Sequence, residues 1–242
     1  MKLVISALLL ALGSLTQQDV PPKPANTALV ATPRTEPGIL ARQAECLRRA
    51  RETAQADVVF LGDSITQAWD DTGLAVWNER FAPLGALNLG VAGDRTEHVL
   101  WRLEQAPITR LAPKVVVLLI GTNNLGHGTH NGEQTLEGVR RVIAVVREQA
   151  PQARLVVHEI FPRGERFNPM RGEIAQINQA LRSGQANGGY RTVAVGDAWV
   201  RADGSIDAAD MPDFLHLSPA GYAHWGAALE PVLREELRRH GK

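Results

Sequence analysis

The chain has 242 residues, enough to bury a substantial core, and its 44% hydrophobic and 21% charged content argues against disorder and against a membrane-embedded body. Lys plus Arg equals Asp plus Glu at 26 each, so no global field draws in nucleic acid or an anionic membrane surface. The single cysteine, Cys46, excludes an intrachain disulfide and a multi-cysteine metal site.

At the start, Lys2 precedes an apolar run from Leu3 to Leu12, followed by Gly13 and Ser14. This pattern predicts a signal peptide over 1–18, because the run is too short for the roughly 20 apolar residues of a membrane span; a retained N-terminal anchor is the alternative. The mature chain is therefore expected to be secreted or periplasmic, with no stable membrane insertion. Residues 19–37 are rich in Pro and Thr without periodicity and read as an N-terminal arm, ahead of one domain over 38–242.

From Ile39 onward, strand-length apolar runs alternate with helical patterns. Strands are expected at Val58–Leu61, Ala86–Leu89, Val115–Ile120, Leu155–Ile160 and Thr192–Val195. Helices are expected at Leu40–Ala54, Ile65–Arg80, Thr96–Glu104, Glu133–Glu148, Met170–Arg182 and Pro219–Arg238. Near-continuous apolar strands suit a sheet covered on both faces. The fold class is α/β: three layers, α/β/α, around a flavodoxin-like five-stranded parallel sheet. Cys46 falls in the first helix as a buried thiol, and Arg234, Arg238, Arg239 and Lys242 form a solvated basic helix end.

Val58-Val59-Phe60-Leu61-Gly62-Asp63-Ser64 is a buried strand that turns into a helix at Ser64. Backbone N–H groups there favour negative charge, which suits a nucleophile and an oxyanion. Taken alone, the segment equally allows Asp63 or Ser64 to be a helix cap. A serine hydroxyl needs an adjacent base, and the base needs an orienting acceptor. Asp213 and His216, three apart before the Ser218-Pro219 helix start, supply both roles. Gly93 and Asn123 follow the second and third strands and can offer an N–H and an amide donor, though singly each also reads as a turn residue.

In order, GDS at 62–64, the glycine of AGD at 93, GTNN at 121–124 and DFLH at 213–216 resemble the four blocks of the SGNH (GDSL) hydrolases. AGDRTEHVLWRLEQ, VVVLLIGTNNLG, IFPRGERFNPMR and DMPDFLHLSPAGYA are similar to the catalytic subunits of intracellular platelet-activating-factor acetylhydrolase and their bacterial relatives, over about Leu40 to Glu236. The resemblance implies a serine esterase acting through an acyl-enzyme. It puts the nucleophile on Ser64, the acid and base on Asp213 and His216, and the oxyanion hole on the Ser64 N–H, Gly93 and Asn123. Ile65, Thr122 and Leu215 match positions that line a small acyl pocket, which points to acetyl or similarly short esters. No metal or organic cofactor is implied, and a homodimer is.

Export departs from those intracellular relatives, so an acetylated sugar or polysaccharide stands beside a phospholipid as the ester substrate. A non-catalytic glycan-binding module of the cell envelope is the alternative from another class. A flavodoxin-like nucleotide binder lacks its phosphate loop, GVAG at 90–93 being too weak a substitute. Arg163 is expected either to touch a polar leaving group or to form a structural ion pair. Trp69, Trp77 and Trp101 read as packing or as sugar platforms. His127 and His130 lack companion ligands for zinc, and His98 and His158 read as structural.

Overall fold

A computed structural model describes residues 25–240. Its centre is a five-stranded parallel sheet of β1 (Val58–Gly62), β2 (Ala86–Asn88), β3 (Val115–Leu119), β4 (Arg154–His158) and β5 (Tyr190–Val193), in the order β2-β1-β3-β4-β5. Every residue of β1 and β3 is buried, as their unbroken Val/Leu/Phe character requires. Val58 pairs in register with Ala86 on one side and Val115 on the other.

Alternate strand residues feed two separate cores. Val59, Leu61, Val116 and Leu118 face α1 (Pro37–Glu52), α4 (Thr96–Gln105), α6 (Gly132–Gln149) and α7 (Pro169–Gly188). Val58, Phe60 and Val117 face the other way, against α2 (Ser64–Gln67), α3 (Leu74–Arg80) and α8 (Pro219–Arg239). The second core is aromatic. Trp69 stacks edge-on to Tyr222 at 4.6 Å and lies 4.8 Å from Trp225, while Phe60 meets Trp77 at 5.0 Å. Trp69 and Trp77 are thus packing residues with no face left for a sugar.

The continuous helix expected over 65–80 is broken. α2 passes into a 3-10 turn at Ala68–Asp70, and Gly73 closes the break with its N–H on the Ala68 carbonyl. Strand β4 stops at His158, short of Ile160, because Asn178 of α7 takes over the Ile160 backbone: its Oδ1 accepts the N–H at 2.8 Å and its Nδ2 donates to the carbonyl at 2.9 Å. A short helix, α5 (Thr122–Gly126), follows β3 at a place where the sequence pattern predicts none.

Of the N-terminal arm, residues 27–29 form a 3-10 turn capped by Asn26, with Ala28 fully buried. The expected signal peptide lies outside the described residues. Among the described residues no helix is long and apolar enough to cross a membrane.

The sheet order reverses beside β1, since β2 lies to one side of it and β3 to the other. Loops leaving the strand C-termini diverge at such a switch point and open a crevice there. Ser64 follows β1 at this crevice.

Candidate active site

Gly62 ends β1 without room for a side chain: a Cβ would lie 2.1 Å from Thr66 Oγ1 and 2.5 Å from the Leu119 carbonyl. The chain therefore turns tightly into α2, and Asp63 caps it, its Oδ1 accepting from the Ile65 N–H at 3.0 Å. This resolves the ambiguity of the segment, since with Asp63 as cap the Ser64 hydroxyl is free. Asp63 is fully buried and its Oδ2 has no hydrogen-bond partner. Burial pushes the carboxyl up to about 7; the Ile65 N–H opposes that rise and the Asp94 charge adds to it.

Ser64 Oγ lies 3.0 Å from His216 Nε2. His216 sits in the loop before α8, which Ser218 caps through its Oγ on the Gly221 N–H at 3.1 Å with Pro219 at the first helical position. Asp213 Oδ2 lies 2.7 Å from His216 Nδ1, and its Oδ1 accepts from the His216 and Leu215 N–H groups at 2.7 and 3.0 Å. Phe214, between them, adopts a left-handed φ of 59°, a conformation rare for an aromatic residue, and its carbonyl accepts the Gly164 N–H at 2.8 Å. The strained residue closes the turn that brings both N–H groups onto one carboxylate. Partial burial raises the Asp213 pKa, but the bonds from the His216 ring and the two N–H groups outweigh it and hold the carboxyl below its usual value. With Nδ1–H given to Asp213, the network leaves Nε2 to accept the Ser64 proton.

Gly93 has a φ of 73°, which a side chain disfavours, and its N–H donates to no acceptor among the described residues. The next residue, Asp94, is wholly buried and bound by Arg102, through Nε and Nη2 at 2.9 Å each. Burial pushes Asp94 up to about 6 against the pull of Arg102 and Arg34. Asn123, the second residue of α5, is 6% exposed and donates from Nδ2 to the Asp94 carbonyl at 3.0 Å. That bond ties the loops after β2 and β3 into one unit. Asn124 serves α4 instead, its Oδ1 accepting the Thr96 N–H at 3.1 Å and fixing the start of that helix.

The structure thus brings Ser64, Asp213 and His216 into one hydrogen-bonded line, with Gly93 and Asn123 joined through Asp94. Arg163 forms no ion pair among the described residues; its Nη1 donates to the Thr122 carbonyl and hydroxyl at 3.1 and 3.2 Å. Its partial burial lowers its pKa, against the opposing charges of Asp63 and Asp213. Ile65 is 1% exposed within the aromatic-side core and Thr122 is 4% exposed, whereas Leu215 is partly open. His130 is buried between Thr27 and Asn124, and His127 is exposed beside Arg95. Among the described residues no group of three or more His, Cys, Asp or Glu is placed to hold a metal ion. His158 accepts from Trp225 Nε1 at 3.1 Å, and burial pushes its pKa down to about 3.

Two contributors escape sequence reasoning. Asp94 gives a weak signal by following the family glycine. Arg34 gives none, because it lies 59 residues before Gly93 in the arm and reaches it only in the folded chain.

The profile of the GDSL-like lipase/acylhydrolase family matches residues 60–224. The platelet-activating factor acetylhydrolase IB subunit alpha1 of Homo sapiens is 42% identical over 182 residues, covering 74% of this chain and 76% of its own. The alpha2 subunit of Rattus norvegicus is 38% identical over 184 residues, covering 76% and 78%. Among solved structures, a GDSL-like lipase from Bacteroides thetaiotaomicron shares the fold at a TM-score of 0.65 and 20% identity, covering 80% of this chain and 98% of its own. An acetylxylan esterase from Geobacillus stearothermophilus does so at 0.58 and 17%, covering 76% and 96%. The chain belongs to the GDSL-like lipase/acylhydrolase family and is a carboxylic ester hydrolase.

Proposed function

We propose that the protein is a short-chain serine esterase working through a Ser64-His216-Asp213 triad and an acyl-enzyme. The observation that carries this reading is the continuous contact from Ser64 Oγ to His216 Nε2 at 3.0 Å and from Nδ1 to Asp213 at 2.7 Å. His216 takes the Ser64 proton as Oγ attacks the ester carbonyl, and Asp213 holds the tautomer and stabilises the imidazolium. The negative oxygen of the tetrahedral intermediate is received by the N–H groups of Ser64 and Gly93 and by the free amide hydrogen of Asn123. Collapse expels the alcohol with the proton from His216, and water activated by the same imidazole then cleaves the acyl-serine.

Ile65, next to the nucleophile in the chain, and Thr122, next to Asn123, are buried at 1% and 4% exposure, and this close packing beside the site supports an acetyl-sized acyl group. On the alcohol side, Arg163 offers a guanidinium without an ion-pair partner among the described residues, suited to a polar leaving group. The triad is open to solvent, with His216 46% and Asp213 56% exposed at the side chain, and this favours an acetylated carbohydrate as substrate over a deeply bound lipid. Export through the N-terminal apolar segment would place the enzyme where such polymers occur.

Fluorophosphonate labelling and p-nitrophenyl acetate hydrolysis, both lost in Ser64→Ala, test the mechanism. Parental turnover in that variant overturns it. A series of p-nitrophenyl esters from acetate to palmitate tests the acyl limit, and best activity on palmitate defeats the short-acyl reading. Comparing acetylated xylo-oligosaccharides with an acetylated phospholipid decides the alcohol.

A further inference from the structure

We propose that Arg34 is a positioning residue for the oxyanion donors, which makes the N-terminal arm from Asn26 to Glu36 a working part of the active site. The inference rests on the oxyanion roles of Gly93 and Asn123 proposed above.

Arg34 is 8% exposed, and its guanidinium brackets Gly93. Nη1 donates to the Ala92 carbonyl at 2.9 Å, before the glycine, and meets Asp94 Oδ1 at 3.4 Å, after it. A Cβ built on Gly93 would lie 3.0 and 3.1 Å from the two terminal nitrogens and 3.5 Å from the carbon between them, so the guanidinium turns its two-nitrogen edge toward this residue. Asp94 in turn gives its carbonyl to Asn123 Nδ2 at 3.0 Å. One side chain from the arm is therefore coupled directly to Gly93 and, through Asp94, to Asn123.

The arm is itself held in place at several points. Asn26 Nδ2 donates to the Gln134 carbonyl at 3.0 Å and to Glu137 Oε2 at 2.7 Å, and Thr27 Oγ1 lies 2.9 Å from His130 Nε2. The Ala28 carbonyl accepts from Thr96 Oγ1 at 3.0 Å, and the Thr32 N–H donates to the Glu97 carbonyl at 3.1 Å. Glu36 Oε2 then accepts from Arg34 Nε at 2.9 Å and sets the guanidinium plane. These anchors grip α4 and α6, and His130 and Thr96 also hold Asn124, the neighbour of Asn123.

Gly93 follows β2 in a left-handed turn outside the strand ladder, and its N–H must stay free for substrate, so nothing in the sheet fixes its direction. A donor misplaced by about 1 Å costs on the order of 100-fold in rate. The guanidinium holds Glu36 through Nε while Nη1 meets the chain on both sides of Gly93, a spread that the point charge of a lysine ammonium cannot reproduce.

The test uses the full chain with p-nitrophenyl acetate. Arg34→Ala should lower kcat by about 30-fold with KM within about twofold, and fluorophosphonate labelling should slow in parallel. Millimolar guanidinium should restore turnover in Arg34→Ala and leave Asn123→Ala unchanged. Arg34→Lys should fall to an intermediate kcat with an unaltered melting temperature. Parental kcat in Arg34→Lys, or a folded Arg34→Ala that keeps parental kcat or ignores guanidinium, overturns the proposal. Should Arg34→Ala not fold, Arg34→Lys decides alone. A low kcat in Asn123→Ala beside a parental Arg34→Lys defeats only the role of the arm, whereas parental turnover in Asn123→Ala defeats the oxyanion reading beneath it.

Discussion

Asp213 grips His216 at two places, ring and backbone: Oδ2 lies 2.7 Å from Nδ1 and Oδ1 accepts the His216 N–H at 2.7 Å. One carboxylate therefore sets both the path of the loop and the tautomer of the imidazole. Asp213→Asn keeps an oxygen for the backbone but turns an NH₂ toward Nδ1, which favours the wrong tautomer. By the precedent of serine proteases, kcat should fall about 10³–10⁴-fold with melting nearly unchanged. Steady-state kinetics beside thermal denaturation checks this, and a loss below about tenfold would count against a triad.

Asn123→Ala removes the proposed oxyanion donor and also the bond to the Asp94 carbonyl. The loss should appear in kcat, by about 3–4 kcal/mol of transition-state stabilisation, with KM little changed. Equal losses in binding and turnover would instead mark Asn123 as a ground-state contact.

Asp63 and His158 give folding stability opposite dependences on pH. Asp63 is pushed up to about 7 from 3.8, so between those values the folded state keeps a proton that the unfolded state releases, and stability falls as pH rises. His158 is pushed down to about 3 from 6.5, so across that range the unfolded state binds the extra proton and stability rises with pH. Asp63→Asn retains the cap oxygen and removes the first slope. Its melting temperature relative to the parent should climb as pH goes from about 4 to about 7, and a constant difference would show that Asp63 ionises normally in the folded chain.

Gly62→Ala would force a methyl to 2.5 Å from the Leu119 carbonyl, a backbone atom that cannot swing aside. Overpacking of this kind costs about 1–3 kcal/mol, and the same shift would displace Ser64 two residues on. Chemical denaturation should show the stability loss, with the labelling rate of Ser64 falling further than stability alone explains.

Much of this protein is legible in its residues. The central strands β1, β3 and β4 follow from near-continuous apolar runs, while the edge strands β2 and β5 are only partly buried, and the last helix follows from Ser218-Pro219, because burial on two faces and capping are local demands. The order of four short motifs also sufficed to point to Ser64, Gly93, Asn123, Asp213 and His216. Local pattern failed where a distant group competed for the backbone. Asn178 ends β4 at His158, and Gly73, packed against Trp69 and Tyr222, interrupts the helix expected over 65–80. Only the tertiary structure decided that Asp63, not Ser64, is the cap, that His216 reaches Ser64 across 152 residues, and that Arg34 brackets Gly93. Periodicity reports how each segment meets water or core, whereas hydrogen bonds between segments depend on where the sheet reverses its winding, and that is settled by packing of the whole chain.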